Sequence, residues 1–255
     1  MSTFEKSEFR RAQLCAWFEQ SPGRSLLDLE SQALRAVWPT LFSRVAVQLG
    51  SVGPVDLLGD CNAQVRAVLD LPGVFHTCEG QAGRVHALPE ALPFEARSID
   101  LMLLTHTLDF ADDPHQVLRE VSRVLTPEGH ILILGFNPFS LWGLWRLLHR
   151  RSNAPWCGHF LGLPRIKDWL KLLDFELVRG NMLYYRPPLT SETNMQRLLF
   201  LDKAGDRWWP LAGAVYLLVA KKRVAGMTPI RPEWRAANAF GRAVARPALR
   251  VIRGG

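Results

Sequence analysis

Ile99-Asp-Leu-Met-Leu-Leu104, then Asp112-Asp113-Pro114, then Val117, Leu118, Val121, Val124 and Leu125 form the stretch on which the fold turns. The run Ile99 to Leu104 is apolar in the manner of a strand buried on both faces of a parallel sheet. Acids and a proline follow where a helix would begin. There the positive end of the helix dipole favours carboxylates, and proline lacks only an N–H that has no partner anyway. The five apolar residues after them recur at helical spacing. Thr126-Pro127-Glu128-Gly129 stops that helix, and His130 to Leu134 reads as a second buried strand running into Gly135-Phe136-Asn137-Pro138. A strand, helix and strand in this order imply a right-handed crossover and a mainly parallel sheet with helices on both faces.

Upstream, Arg44 to Gly50 is a short apolar run closing on glycine, followed by Ser51-Val52-Gly53-Pro54; it is expected to be the first strand and its turn. Val74 to Cys78 and Arg84 to Ala87 are further strand candidates, separated by a loop at Glu79 to Gly83. Leu26, Leu29, Leu34 and Val37 have helical spacing and end at Trp38-Pro39, where proline stops a helix. Downstream, Ser140 to Arg151 is an aromatic amphipathic segment, Pro164 to Leu173 a helix, and Phe175 to Arg179 and Ala214 to Ala220 strands. This predicts a helical cap over 1–40, a main α/β domain over 41–223 and a tail over 224–255.

The formal charge of +7 belongs to that tail. Residues from Lys221 onward hold nine Lys or Arg against Glu233 alone, which leaves 22 basic and 23 acidic residues in the body. A near-neutral body excludes the basic face that nucleic-acid binding needs, so nucleic acid is not expected as a partner. Cys15, Cys61, Cys78 and Cys157 form no C-x-x-C pair and stand near no histidine at zinc-ligand spacing, so no metal is expected. The charged opening MSTFEKSEFRRAQ lacks a signal peptide's apolar core, which points to the cytoplasm. Neither 131–148, interrupted by Asn137, Pro138 and Arg146, nor the shorter 208–220 suits a span of roughly 20 apolar residues.

Leu92-Pro93-Phe94, Ser98-Ile99-Asp100-Leu101, Thr105-His106-Thr107-Leu108, Asp113-Pro114, Leu118-Arg119-Glu120, Arg123-Val124-Leu125 and Pro127-Glu128-Gly129 occur in this order. The string resembles the type-11 methyltransferase family, related to the quinone-biosynthesis enzymes. Gly135-Phe136-Asn137-Pro138 is similar to a small bacterial subgroup, the YafS-like proteins. The resemblance implies a Rossmann-like class I methyltransferase fold and S-adenosylmethionine as cofactor.

It also implies roles. In such a sheet, ligands bind outside the carboxyl ends of the strands where the topology reverses; the expected ends are Gly50, Glu79, Leu88, His106 and Asn137. Gly50, Ser51 and Gly53 match the turn that lets the backbone approach the cofactor, since a side chain there would block it. The family's loop is acid-x-Gly-x-Gly-x-Gly, whereas this chain has Gln48-Leu49-Gly50-Ser51-Val52-Gly53. Glu79 is the candidate for the strand-end acid that holds the ribose. Leu88 stands where the family often has an aspartate near the adenine, with Glu90 two positions on, and Thr105 joins the cofactor set. Asp100, Arg119 and Glu120 are read as structural, the last two on a solvated helix face.

His106 emerges beside Asn137 where the transferable methyl should sit. It is read as acceptor of a proton from the substrate, as a residue that shapes the pocket without proton transfer, or as a core histidine with both nitrogens satisfied, the more frequent fate of a histidine beside an apolar strand. Trp142 and Trp145, on the segment after the fifth strand, are read as a substrate lid, with plain core packing as the rival. With Arg146, Arg150 and Arg151, segment 139–151 would also suit a membrane interface, as would the basic tail. The functional expectation is methyl transfer to a small hydrophobic acceptor. The rival is a catalytically degenerate fold acting as a binding or scaffold module, motivated by the worn glycine loop and Leu88.

Overall fold

The computed structural model describes residues 3–53, 55–71, 83–148, 154–188 and 211–223, together with 198, 202, 207 and 209. Two helices lead: α1 (Thr3–Phe18) and α2 (Gly23–Arg35), then a 3-10 turn at Trp38–Thr40. The strands are β1 (Ser43–Leu49), β2 (Ala63–Asp70), β3 (Gly83–His86), β4 (Ile99–Thr105) and β5 (Leu125–Phe136), with α3 (Thr107–Phe110) and α4 (Pro114–Val124) between the last two. After them come α5 (Leu141–Leu148), α6 (Leu163–Leu172), β6 (Phe175–Leu183) and β7 (Val215–Lys222). They form one seven-stranded sheet in the order β3-β2-β1-β4-β5-β7-β6. β7 runs antiparallel to both its neighbours, and the other pairings are parallel.

The alternation of β4 divides the core. Leu101 and Leu103 face a cluster with Leu14 and Phe18 of α1 and Leu26, Leu27 and Leu34 of α2. Met102 and Leu104 face the opposite cluster, built on Val117, Leu118, Val121 and Val124 of α4 and Ile166 and Leu170 of α6. β4 thus buries both faces, which is why Ile99 to Leu104 is apolar without interruption except at Asp100. That aspartate accepts from the backbone N–H groups of Arg44 and Val45 at 2.9 and 3.1 Å, and from Thr126 Oγ1 at 3.2 Å, tying β1, β4 and β5 at their starts. The α4 start is also as expected: Asp113 caps it, its side chain accepting from the N–H groups of His115 and Gln116 at 3.0 Å.

The spaced family words are explained by one contact. Arg123 donates to the carbonyls of Leu92 and Phe94, both at 3.0 Å, while Glu120 holds Arg123 at 2.8 Å and accepts from Leu92 N–H at 3.3 Å. Glu120 is therefore a half-buried staple rather than part of a purely solvated face.

Two sequence expectations differ from the structure. The second strand is Ala63–Asp70; Val74 to Cys78 lies outside the described residues, as does the tail from 224. Gln64 and Arg66 interrupt the apolar pattern of β2, since its early residues face solvent near the sheet edge. Second, α1 shows no clear helical period because its apolar residues crowd together at its end, from Leu14 to Phe18, yet it buries Leu14, Cys15 and Phe18 completely.

Parallel neighbours need a crossover, normally helical. Between β1 and β2, segment 50–62 contains no helix among the described residues. Its Val52, Leu57 and Leu58 instead pack in the same cluster as α1 and α2.

Candidate active site at the sheet switch point

The chain leaves β1 for β2 on one side and returns to β4 on the other, so the carboxyl ends of β1 and β4 border a crevice. A cavity of about 240 Å³ opens there, lined by Gly50, Leu69, Leu71, Leu88, Phe110 and Arg11 among others. Its lining is mainly apolar and includes the carboxylates of Glu90, Asp112 and Asp113. Burial, first, and the nearby charges of Asp112 and Asp113 push the Glu90 carboxyl up.

Gly50 ends β1 with φ +82°, a left-handed conformation in which side chains are strained. A Cβ on it would lie 2.0 Å from Arg11 Nη2, so only glycine admits the guanidinium. Gln48, which replaces the family acid, donates from Nε2 to the Gly50 carbonyl at 3.0 Å and braces the turn. Ser51 N–H donates to Asp70 Oδ1 at 2.6 Å, joining the turn to the end of β2. Asp70 is thus the acid that terminates the second strand, while Glu79 lies outside the described residues. The signal missed in the sequence was Val68-Leu69-Asp70, an apolar pair closing on an acid.

Of the other expected cofactor residues, Leu88 lines the cavity. Thr105 is fully buried, its hydroxyl donating to the Gly50 carbonyl. Gly53 (φ +72°) faces the cap, where an added Cβ would meet Leu27 Cδ2 at 3.3 Å.

His106 is enclosed rather than cavity-lining. Its backbone is left-handed (φ 52°), and its side chain is 0% exposed. Nε2 stands 2.8 Å from Glu30 Oε1 of α2, and Nδ1 stands 3.4 Å from Asp109 Oδ2 of α3. Its ring stacks on Phe136 at 4.2 Å. Burial alone would lower the His106 pKa, but the charge of Glu30 and the hydrogen bonds to both carboxylates carry it up to about 9. At neutral pH the imidazole is therefore charged and has no free lone pair.

Around it lies an aromatic wall. Trp142, fully buried, packs on Trp17, Phe136, Trp156 and Tyr184, and its Nε1 donates to the Arg186 carbonyl at 2.9 Å. Trp145 lies on the outer face of α5, 36% exposed. Asn137 is committed to the backbone: Nδ2 donates to the carbonyls of Leu211 and Gly213 at 2.8 and 2.9 Å, and Oδ1 accepts from Phe139 N–H at 3.0 Å.

The crevice suits S-adenosylmethionine by its own chemistry. It has a mainly apolar lining for a purine, the carboxylates of Glu90, Asp112 and Asp113 among the lining residues, and a buried cation, Arg11, held against Gly50, whose Nη1 has no hydrogen-bond partner.

Residues 50–133 match the methyltransferase-domain family of type 11. The uncharacterised protein YafS of Escherichia coli is 34% identical over 178 residues, 68% of either chain. A ubiquinone/menaquinone biosynthesis C-methyltransferase, UbiE of Hahella chejuensis, is 35% identical over 96 residues, 38% of this chain and 37% of that one. Among solved structures, a SAM-dependent methyltransferase from Thermotoga maritima superposes with TM-score 0.58 at 16% identity, covering 87% of this chain and 100% of that one. The fold is that of the Rossmann-like class I methyltransferases, and family and fold together imply S-adenosylmethionine-dependent methylation. On the YafS relationship and the domain match, the chain belongs to the type-11 methyltransferase family.

Proposed function

We propose that this protein binds S-adenosylmethionine in the β1/β4 crevice and transfers its methyl group to a small hydrophobic acceptor. The observation that carries the reading is the retained crevice itself: Gly50 in a left-handed turn, Asp70 holding Ser51, and an apolar cavity between them and Leu88. The cofactor, when bound, supplies an electrophilic methyl on a good leaving group, so the protein's share is positioning and exclusion of water.

The chain's residues divide that work. Leu69, Leu71, Leu88 and Phe110 give the flat apolar surfaces for the nucleoside. Trp17, Phe136, Trp142 and Phe160 pack on one another in the core; it is the apolar lining of the cavity itself that supports an apolar acceptor over a charged one. His106 is a positioning residue: held charged between Glu30 and Asp109, it locks α2 and α3 over the ends of β4 and β5. The exposed outer face of α5 with Leu144, Leu147 and Leu148, and Phe139 before it, followed in the sequence by Arg150 and Arg151, supports peripheral contact with an anionic membrane surface that would hold such an acceptor. No helix among the described residues is long and apolar enough to cross a membrane.

One observation favours the rival reading of a fold retained for binding alone: among its described residues, segment 50–62 has no helix whose N-terminus would face the ligand. Calorimetric titration with S-adenosylhomocysteine, followed by transfer of labelled methyl into the lipid-soluble fraction of a bacterial extract, separates the two. Binding with label transfer is expected. Binding without transfer into any fraction would favour the scaffold, and no saturation at millimolar ligand would remove the cofactor from the protein altogether.

A further inference from the structure

Arg11 is an arginine in the first helix that the catalytic reading above leaves without a task. It is 4% exposed. One end of its guanidinium is spent on the switch point: Nη2 donates to the carbonyls of Ser51 at 3.1 Å and Thr105 at 2.9 Å, the residues that follow β1 and end β4. The other end is unspent, for Nη1 is buried with no hydrogen-bond partner. Burial, first, pulls its pKa down, while Cys15, Asp70 and Asp109 pull it back; the group remains a cation. A buried, charged donor without an acceptor is costly, and a cavity wall is where such a donor finds its partner in a ligand.

The place is telling as well. Rossmann-like folds meet the charged part of a ligand with the positive end of the helix after the first strand. Here segment 50–62 has no such helix among the described residues, and Arg11 brings a full positive charge to the same turn. Gly50 is shaped to it, because any Cβ there would strike Nη2.

We infer that Arg11 binds the carboxylate of the cofactor's amino-acid part, so that α1 belongs to the cofactor site and is more than a cap. The inference rests on the proposed binding of S-adenosylmethionine. It adds a division of the ligand: the strand ends and apolar floor take the nucleoside, and Arg11 takes the carboxylate. A guanidinium donates in a fixed plane to carboxylate oxygens, so Nη1 and the edge it shares present a directional partner that a lysine could not reproduce.

The test compares two ligands that differ in that part alone as far as charge is concerned. S-adenosylhomocysteine carries the amino acid; 5′-methylthioadenosine keeps the thioether nucleoside and lacks it. Calorimetry on the full chain is expected to give wild-type protein at least about tenfold tighter affinity for the first than for the second. Arg11→Met, close in shape and uncharged, should weaken S-adenosylhomocysteine by about ten- to hundredfold, the effect of a charged hydrogen bond. It should leave 5′-methylthioadenosine within about twofold. Arg11→Lys should fall between, since it keeps the charge without the fork.

Equal losses for both ligands would mean that Arg11 only holds α1 in place, and unchanged S-adenosylhomocysteine affinity would put the carboxylate elsewhere; either overturns the inference. If Arg11→Met does not fold, the wild-type ratio decides, since equal affinities for the two ligands would also overturn it. Wild-type protein that binds the nucleoside thioether but does not prefer the amino acid defeats this inference alone. Wild-type protein that binds neither defeats the cofactor reading beneath it.

Discussion

His106 Nε2 and Glu30 Oε1 lie 2.8 Å apart, both side chains wholly out of solvent, and join the end of β4 to the cap helix α2 across 76 residues of chain. Asp109 holds the other ring nitrogen, and Arg11 of α1 stands close enough to Asp109 to feel its charge. The cap is therefore attached to the sheet by charge as well as by Leu14, Phe18, Leu26 and Leu34. Removing His106 leaves two buried carboxylates facing an empty site, and His106→Ala is expected to cost about 3–5 kcal/mol. A melting temperature lowered by less than roughly 6 °C would show that the pair is not the attachment.

The same pair gives stability a pH dependence. The folded His106 pKa is raised to about 9 from 6.5, so its contribution is fully present below pH 6.5 and is lost as pH rises through 9. Melting temperature should fall across that window, and Glu30→Gln should flatten the fall. An unchanged slope in Glu30→Gln would assign it to other groups.

Gly50 and Gly53 look alike in sequence and should respond differently. Both have positive φ, but a Cβ on Gly50 meets the Arg11 guanidinium at 2.0 Å, while one on Gly53 meets nothing nearer than Leu27 Cδ2 at 3.3 Å, with Phe18 Cβ at 3.7 Å. Each alanine carries the left-handed penalty of about 1–2 kcal/mol. Gly50→Ala is expected in addition to displace Arg11 and weaken S-adenosylhomocysteine at least about tenfold, whereas Gly53→Ala should bind within a few-fold of wild type. Calorimetry on both proteins, with denaturant melts alongside, checks this; equal binding losses would mean the turn as a whole matters rather than the space before Gly50.

The outer face of α5 leaves Leu144 53% and Leu148 72% exposed. Leu144→Glu with Leu148→Glu should leave the melting temperature nearly unchanged, since neither side chain is buried, and should abolish co-flotation with phosphatidylglycerol vesicles. Flotation that survives the double substitution would clear α5 of membrane contact, and no flotation of the parent would remove the membrane from the proposal.

Much of the architecture could be read along the chain, for a physical reason. From Ile99 to Phe136 each element is marked by its own residues: the apolar strands, the Asp113 cap, the spacing of Val117, Leu118, Val121 and Val124. β4 and β5 pair with each other inside that stretch, and although β1, β7 and α6 pack on them from elsewhere in the chain, each element's own apolar pattern already states which faces are buried. The same holds for Gly50, whose left-handed turn at the end of β1 requires glycine.

What the tertiary structure alone decided are the contacts in which a polar residue finds its meaning far away. Arg11, Glu30 and Asp70 carry no local mark of their roles, and the alternation of β2 is blurred because Gln64 and Val65 are exposed while Arg66 turns to the carbonyls of Leu58 and Gly59. Only folding brings Arg11 to the carbonyls of Ser51 and Thr105, Glu30 to His106, and Asp70 to Ser51. It also turned Trp142 and Asn137 inward, to the Arg186 carbonyl and the loop before β7, although both follow the strand end from which a lid was expected. A hydrophobic period is written in neighbouring residues, but a buried charge is specified by its partner, and the chain carries that partner tens of residues away.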